Sequence, residues 1–311
     1  MEVERFPLVS VVIPTYSRNE MLQRAINSVL NQSYKNIEII VVDDNDSESD
    51  YRKSTETIMK KYSIYSNIKY IKNKKNLGGA LARNQGILVA RGEIICFLDD
   101  DDEYLYNCIE EKVKLFSESD NEKLALVYGM CEMIMPNNKR ILFGNKFRGN
   151  CLYELLQIDC ISATSQWACK RNALLNIGMF SDIPAKQDSM LMLKLFELNY
   201  EIDFIDKPLS RYYIHDGIKI SNSGKALDGE ILLREYGRKL YDRLSTKEIL
   251  EVEYSFSSRL MKYYFEKKML KNSIEEMKIM FIIHPIKTVL SFIYDFCRVI
   301  KRNLKLIIGI R

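Results

Sequence analysis

The segment LVSVVIPTYSRNEMLQRAINSVLNQSYKNIEIIVVDD, residues 8–44, decides the fold class of this chain. Its first part, Leu8–Pro14, is a β-branched run typical of a strand that is buried on both faces. Asn19–Asn31 then carries its apolar residues at helical spacing, and Ile37–Val42 is a second β-branched run. A strand, a helix and a strand in this order predict a βαβ unit with two parallel strands.

The same alternation continues to residue 98. We expect a polar helix to about Lys60, a strand over Ile68–Ile71, a helix over Gly79–Val89 and a strand over Glu93–Leu98. The pattern therefore predicts an α/β fold with a Rossmann-like, mixed but mainly parallel sheet that is flanked by helices. Ligands of such sheets bind outside the carboxyl ends of the strands.

The rest of the chain is less regular before it becomes helical. Two separate strands are expected over Tyr200–Ile205 and Leu209–His215, and a loop-like segment follows them. The predicted parts are a first half of the sheet at about 1–130, a second half at about 131–225 and a helical C-terminal region over 226–311.

Charge and cysteine content exclude several classes of protein. The net charge is +4, but residues 281–311 hold six basic side chains and one acidic one, so the rest is almost neutral and unsuited to nucleic acid. The seven cysteines include no Cys-x-x-Cys pair, which argues against zinc, and reduced thiols indicate the cytoplasm. We find neither a signal segment nor a run of about 18 apolar residues. A cytoplasmic location is therefore expected.

Four consecutive aspartates, Asp99–Asp102, follow the fourth predicted strand. Adjacent carboxylates repel each other, so such a run is costly unless a cation lies among them. Carboxylate oxygens are the ligands that Mg²⁺ and Mn²⁺ prefer, and a divalent cation here would bridge a bound diphosphate. The alternative is a solvated acidic turn that caps the next helix, which is expected near Leu105–Ser119.

A second acidic pair, Asp43-Asp44, ends the second predicted strand at the same edge of the sheet. A carboxylate there can accept a hydrogen bond from a base or a ribose hydroxyl, and the alternative is a plain turn. Pro14, Thr15 and Tyr16 stand where a glycine-rich loop would follow the first strand, and no Gly-x-x-x-x-Gly-Lys-Ser/Thr motif occurs. A P-loop enzyme and a Rossmann dehydrogenase are thus disfavoured.

Residues 9–47 and the segment NLGGALARNQGILVARGEIICFLDDDDEY, residues 76–104, resemble the inverting family-2 glycosyltransferases of the GT-A fold that act in bacterial polysaccharide biosynthesis. The resemblance covers about residues 8–215. It implies a glycosyltransferase domain over 1–225, with a nucleotide-binding half at about 1–130 and an acceptor half at about 131–225. It implies a hexosyltransferase type of enzyme that moves a sugar from a nucleotide-diphosphate sugar, commonly a UDP-sugar, to a hydroxyl of a glycan or lipid-linked acceptor. A divalent cation, Mn²⁺ or Mg²⁺, would be its cofactor. The alternatives are a sugar nucleotidyltransferase and a non-catalytic nucleotide- or carbohydrate-binding protein.

The resemblance also implies donor-binding residues. Pro14, Thr15 and Tyr16 match the end of the first strand that lines the base pocket. Asp44 matches the carboxylate that contacts the base, and Arg83 resembles the arginine that supports the nucleotide.

The run of four aspartates occupies the Asp-x-Asp position of the family. By similarity, Asp101 would ligate the metal and Asp100 would contact the ribose or the metal shell. Because the four residues are identical, Asp99, assigned to the donor, and Asp102 are also candidates for the metal.

Four further residues are assigned through the same resemblance. Asp188 matches the catalytic base, which implies a single displacement with inversion, and its alternative is a helix N-cap. Gln187 stands where the family usually has Glu, and it is an acceptor-site candidate. Trp167, the only tryptophan, is a second acceptor candidate, with a core aromatic as the alternative. His215 resembles a histidine that closes over the diphosphate or its metal in some members, and its alternative is a structural role.

The C-terminal region carries an apolar stretch over about 281–296, followed by Arg298, Lys301, Arg302 and Lys305. We interpret it as a basic amphipathic tail that contacts anionic lipids, which would place the protein peripherally on the cytoplasmic face of the inner membrane. The alternative is a helix that docks on the catalytic domain or on a partner subunit of a homo-oligomer.

Overall fold

The computed structural model describes residues 6–214 and 225–294. The chain divides into two compact units, Met1–Leu155 with Asp159–Lys219 and Leu156–Ile158 with Ile220–Arg311. In their described parts, the first unit holds the sheet and the second is helical.

The alternation predicted for the first hundred residues is present. The elements up to the acidic run are β1 (Val9–Thr15), α1 (Asn19–Leu30), β2 (Ile37–Asp43), α2 (Asp50–Lys61), β3 (Ile68–Lys72), α3 (Gly79–Val89) and β4 (Ile94–Phe97). Strands β3, β2, β1 and β4 are neighbours in this order, and all three pairings are parallel. Thr15 lies opposite Asp43 at the carboxyl ends of β1 and β2. The β-branched side chains of β1, β2 and β4 are buried because helices cover both faces of this part of the sheet.

The second half of the first unit extends the same sheet through four antiparallel pairings and the parallel pairing of β6 with β9. Its elements are β5 (Glu103–Tyr104), α4 (Cys108–Glu118), β6 (Leu124–Ile134), β7 (Arg140–Phe143), α5 (Leu152–Ile158), β8 (Trp167–Lys170), α6 (Arg171–Asn176), α7 (Gln187–Glu197) and β9 (Glu201–Tyr213). Among the described residues the sheet has nine strands, in the order β3-β2-β1-β4-β8-β6-β9-β5, with β7 paired to β6. The expected α/β fold with a mixed sheet is thus confirmed, and four of the eight pairings among the described strands are parallel.

One predicted division of the sheet is wrong. The two strands expected over Tyr200–Ile205 and Leu209–His215 are a single strand, β9, in the part of the chain that the structure describes. Its pairing with β6 shifts register between Gly129–Ile205 and Met130–Pro208. Proline has no N–H to donate to the ladder, so a bulge next to Pro208 lets the strand continue.

The second unit consists of α8 (Ala226–Arg238), α9 (Thr246–Glu266), α10 (Leu270–Ile283) and a last described helix, α11, over 285–294. Ser245 and Glu248 cap the N-terminus of α9 reciprocally. A buried ion cluster joins the helices, since Arg234 contacts both Glu253 and Glu276. Arg238 and Tyr241 donate further hydrogen bonds to Glu253. No helix within the described ranges is long and apolar enough to span a membrane.

Candidate donor and catalytic site

The acidic run lies at the carboxyl edge of the sheet, immediately after β4. The N–H of Leu98 donates to Val12 of β1, and Asp99–Asp102 then form a turn that leads into β5. Helix α4 begins only at Cys108, and Asn107 is its N-cap residue. The aspartates therefore do not cap this helix, and the alternative of a capping turn does not hold.

Asp100 faces β1. The hydroxyl of Thr15 donates to its Oδ2 over 2.7 Å, and the N–H of Tyr16 approaches the same oxygen at 3.4 Å. Burial, with the nearby charge of Asp101, raises the pKa of Asp100 to about 7, although Thr15 and Arg18 act in the opposite direction. This carboxylate ties the end of β1 to the acidic turn.

The other three aspartates form a separate group. One carboxylate oxygen from each of Asp99, Asp101 and Asp102 lies within 4.8 Å of the others. Burial and the charges of Asp99 and Asp101 raise the pKa of Asp102 well above its ordinary value. Its Oδ1 is buried and has no hydrogen-bond partner among the residues that the structure describes. Three converging carboxylates with one unsatisfied buried oxygen are a donor set that fits a hard divalent cation.

Three arginines surround this acidic turn. Arg18 forms an ion pair with Asp101, and Arg83 of α3 pairs with Asp99. Arg24 of α1 donates to the carbonyl oxygen of Asp101. Guanidinium groups at the edge of a sheet suit phosphate oxygens, which they bind in a bidentate manner. The resemblance described above predicts that Arg83 supports the nucleotide, whereas no feature of the sequence singles out Arg18 or Arg24.

Asp44 lies beside the same edge and supports a loop. Its carboxylate accepts hydrogen bonds from the Asn73 side chain at 2.8 Å and from the N–H groups of Leu77 and Gly78 at 2.9 and 2.8 Å. Gly78 has φ +87°, a conformation that favours glycine, and it precedes the first turn of α3. Burial raises the pKa of Asp44 although these hydrogen bonds lower it. The residue thus shapes the loop that leads to Arg83.

The end of β1 offers both a buried and an exposed side chain to this edge. Thr15 is buried against Asp100, and Pro14 is half-buried opposite Val42. The Tyr16 ring is 47% exposed, so it is available to a ligand.

Asp188 lies in the first turn of α7. Its Oδ1 accepts the N–H of Ser189 at 2.9 Å, and the Cys160 thiol lies 3.5 Å from its Oδ2. Burial, together with the charge of Asp159, raises the pKa of Asp188, whereas Lys186 and Cys160 lower it. Lys186 is the N-cap residue of α7. The alternative prediction, in which Asp188 caps this helix, is therefore wrong.

An ion pair next to this carboxylate was not expected from the sequence. Lys186 pairs with Asp159, and both residues have a left-handed backbone, with φ of 64° and 74°. The Ser189 hydroxyl donates to the carbonyl oxygen of Asp159. These contacts join the turn at 159–160 to the start of α7, and no spacing in the sequence indicates a pairing between segments so far apart. A few residues after the turn at 159–160, the hydroxyl of Ser165 accepts a hydrogen bond from the N–H of Asp99 at 3.1 Å, so this part of the chain contacts the acidic turn.

The structure describes two of the three remaining candidate residues, Trp167 and Gln187. Trp167 is fully buried in β8, and its indole N–H donates to Ser162 at 2.7 Å. An acceptor sugar stacks on an exposed ring face, so the acceptor role assigned to Trp167 is wrong and the core alternative holds. The Gln187 side chain donates to the carbonyl oxygen of Ile183 at 3.0 Å. His215 lies outside the described residues.

Comparisons with known proteins are consistent with this geometry. The sequence model of the family "Glycosyl transferase family 2" matches residues 10–171. The chain is 28% identical over 211 residues to the amylovoran biosynthesis glycosyltransferase AmsB of Erwinia amylovora, covering 66% of this chain and 69% of that protein. It is 37% identical over 141 residues to the GalNAc(5)-diNAcBac-PP-undecaprenol beta-1,3-glucosyltransferase of Campylobacter jejuni, covering 45% of this chain and 43% of that enzyme. Several relatives are thus matched over only part of their length, such as 18% of an uncharacterized glycosyltransferase of Rickettsia bellii.

Two solved structures share the fold. S. aureus TarS 1-349 in complex with UDP-GlcNAc has a TM-score of 0.59 at 15% identity, over 88% of this chain and 90% of that one. The mannosyltransferase PcManGT from Pyrobaculum calidifontis, in complex with GDP-Man and Mn²⁺, has a TM-score of 0.60 at 14% identity, over 96% and 81%. The expected GT-A fold is therefore confirmed. Since the sequence model of the family matches more than half of the chain, this protein belongs to glycosyl transferase family 2.

Proposed function

We propose that this chain transfers a sugar from a nucleotide-diphosphate sugar to a hydroxyl of a glycan or lipid-linked acceptor, in a metal-dependent reaction that inverts the anomeric configuration. The observation that carries the proposal is the group of Asp99, Asp101 and Asp102 at the carboxyl end of β4. Membership of the family removes the rival activity of a sugar nucleotidyltransferase.

The donor would bind along the edge formed by β1 and β4. Pro14, Thr15, Tyr16 and Asp44 would contact the base and ribose, and Arg83 would lie near the diphosphate. Fold relatives that hold UDP-GlcNAc or GDP-Man support a nucleotide sugar, and a UDP-sugar is our proposal for this chain. Arg18, which faces Asp100 and Asp101, is an additional candidate for a phosphate contact.

A divalent cation, Mn²⁺ or Mg²⁺, would be held by Asp101 with Asp99 and Asp102, and His215 is a further proposed ligand. When bound, the ion neutralises charge that develops on the leaving diphosphate. Asp100 would then act differently from its neighbours, because its hydrogen bond to Thr15 directs it towards β1, where it would orient the ribose or the metal shell.

Asp188 would act as the general base. Its raised pKa makes it a better proton acceptor than an ordinary aspartate, and it would take the proton from the acceptor hydroxyl as that oxygen attacks the anomeric carbon. One base opposite the leaving group gives a single displacement, so an α-linked donor would yield a β-glycoside. Gln187 precedes the base and would lie beside the acceptor.

The acceptor is proposed to belong to a bacterial surface polysaccharide such as a capsule or an O-antigen. Relatives named for amylovoran biosynthesis and for an undecaprenol-linked acceptor support this class. A lipid-linked acceptor would place the enzyme on the cytoplasmic face of the inner membrane, in peripheral contact through its C-terminal region.

A donor-hydrolysis screen tests this function without knowledge of the acceptor. The purified chain is incubated with UDP-, GDP- and dTDP-sugars after removal of metal, with Mn²⁺ or Mg²⁺ then added, and the released nucleoside diphosphate is measured. We expect turnover of one donor class only with added cation, and a loss of about 10²-fold or more in Asp188→Asn. Asp182→Asn, which changes an exposed carboxylate just before α7, is the matched control. Cation-independent turnover, or an Asp188→Asn variant as fast as this control, would contradict the proposal.

A further inference from the structure

Helix α11 presents an apolar face that no described residue covers. Ile286, Val289, Leu290 and Ile293 are all exposed, and their spacing of three, one and three residues puts them on one side of the helix. Ile282 at the end of α10 is also exposed, and Ile282 and Ile286 are the most open of the set, at 83% and 76%. We call these five residues the apolar stripe.

The opposite side of α11 is packed inside the second unit. Thr288 is fully buried, and its hydroxyl donates to the carbonyl oxygens of Met280 and His284 at 3.0 and 2.8 Å. Phe292 packs against a small core that contains Met280. Because these contacts fix the rotation of α11, the apolar stripe faces away from the core of its own unit.

Lysines accompany the stripe. Lys271, Lys278 and Lys287 are exposed on α10 and α11. Lys278 pairs with Glu275 at 3.1 Å and Lys287 pairs with Glu251 of α9 at 2.8 Å, so the excess of positive charge comes mainly from the other lysines. Residues 267–294 hold five lysines against two glutamates, and one of these, Glu276, is paired with the buried Arg234. The following residues, 295–311, add five basic side chains and one acidic one in the sequence. An apolar helix face flanked by excess positive charge is the composition of an interfacial helix that binds anionic lipid.

We propose that the apolar stripe docks on the surface of an anionic lipid bilayer. A second copy of this chain fits less well, because a two-fold contact through the stripe would bring the same cationic flanks together. The inference deepens the proposed function, since a membrane-bound enzyme would meet a lipid-linked acceptor at the bilayer surface. Its test does not depend on that function.

The test is co-flotation of the full chain with vesicles of phosphatidylcholine alone and with vesicles that also contain phosphatidylglycerol. We expect binding to the second kind that weakens with salt. The variant Ile282→Asn/Ile286→Asn/Leu290→Asn should reduce this binding by about tenfold or more. The matched control, Ile64→Asn/Leu88→Asn, removes exposed apolar side chains from the first unit and should leave binding unchanged.

A second measurement covers the case in which the triple variant does not fold. In Tyr294→Trp, the new indole should shift its fluorescence to the blue with phosphatidylglycerol vesicles, against the constant signal of the buried Trp167. No vesicle binding by the native chain, a triple variant that binds as the control does, or a native dimer that the triple variant dissociates would each overturn the proposal. Donor hydrolysis measured without lipid should be the same in the triple variant and the native chain, so failure of the hydrolysis screen leaves the vesicle result intact.

Discussion

Replacing either member of the Lys186–Asp159 ion pair should shift the pH dependence of turnover, in opposite directions for the two residues. Both charges lie close to Asp188, the proposed base, and act on its pKa with opposite signs. Lys186 lowers the pKa of Asp188 and Asp159 raises it. A base must be ionised to act, so the acidic limb of the rate profile follows this pKa.

The size of the shift follows from the surroundings of the pair. The side chains of Lys186 and Asp159 are 16% and 14% exposed, so that water screens them only in part. At an effective dielectric constant of about 20, two unit charges about 6 Å apart interact by roughly 3 kcal/mol, and partial exposure reduces this. We therefore expect an effect on the order of 1 kcal/mol, which corresponds to slightly less than one pH unit.

The assay is the rate of donor turnover at saturating donor as a function of pH. Lys186→Met should move the acidic limb to higher pH, and Asp159→Asn should move it to lower pH. Both changes break the same ion pair and loosen the same turn, so a purely structural role would shift the two profiles alike. Equal shifts of the same sign, or profiles identical to that of Asp182→Asn, would refute the electrostatic reasoning.

Three other outcomes are expected. Asp102→Asn should weaken Mn²⁺ binding in a titration by about tenfold or more, because it removes a carboxylate from the acidic group, and unchanged affinity would exclude this residue as a ligand. Gly86→Ala should destabilise the chain by about 1–3 kcal/mol in denaturant unfolding, since a Cβ would lie 2.3 Å from Val12 Cγ1; an unchanged midpoint would contradict that packing. Although burial raises it, hydrogen bonds from two arginines and a tyrosine lower the pKa of Glu253 to about 2. About 3 kcal/mol of stability should therefore be present above pH ~4.5 and be lost as the pH falls towards 2, and Glu253→Gln should abolish this part of the dependence in thermal unfolding.

The parallel part of the sheet was predictable because burial on both faces leaves a plain signature. Apart from Ser10 and Glu38, strands β1, β2 and β4 are apolar up to their last residues, and polar residues stand at or shortly after the end of each strand. Continuous apolar runs of this kind separate clearly from the amphipathic helices between them.

The strands of the second half of the sheet carried weaker signals. β8 has only four residues, which is too short to show a period, and β5 has two. Residues 206–208 separate the two strands expected there, yet β9 runs through them with a shift in register next to Pro208. These features depend on pairing with distant strands, which local patterning does not record.

The candidate site was predictable in composition and less so in geometry. Four identical aspartates cannot be told apart in the sequence, and only the fold turns Asp100 towards Thr15 and the other three towards one another. The same holds for Trp167, since an aromatic residue in an irregular segment suits either a core or a ligand surface.

The acidic turn is closed at both ends. The Tyr104 hydroxyl donates to the carbonyl oxygen of Phe97 at 2.5 Å, and Glu103 accepts hydrogen bonds from Arg211 and Tyr213 of β9. Folding has therefore already met the conformational entropy of fixing this turn, and a ligand that arrives later does not have to order Asp99–Asp102. The free energy gained when the ligand neutralises these charges is then kept in full. In a chain that held the same four aspartates in an open loop, ordering that loop would reduce the net binding free energy.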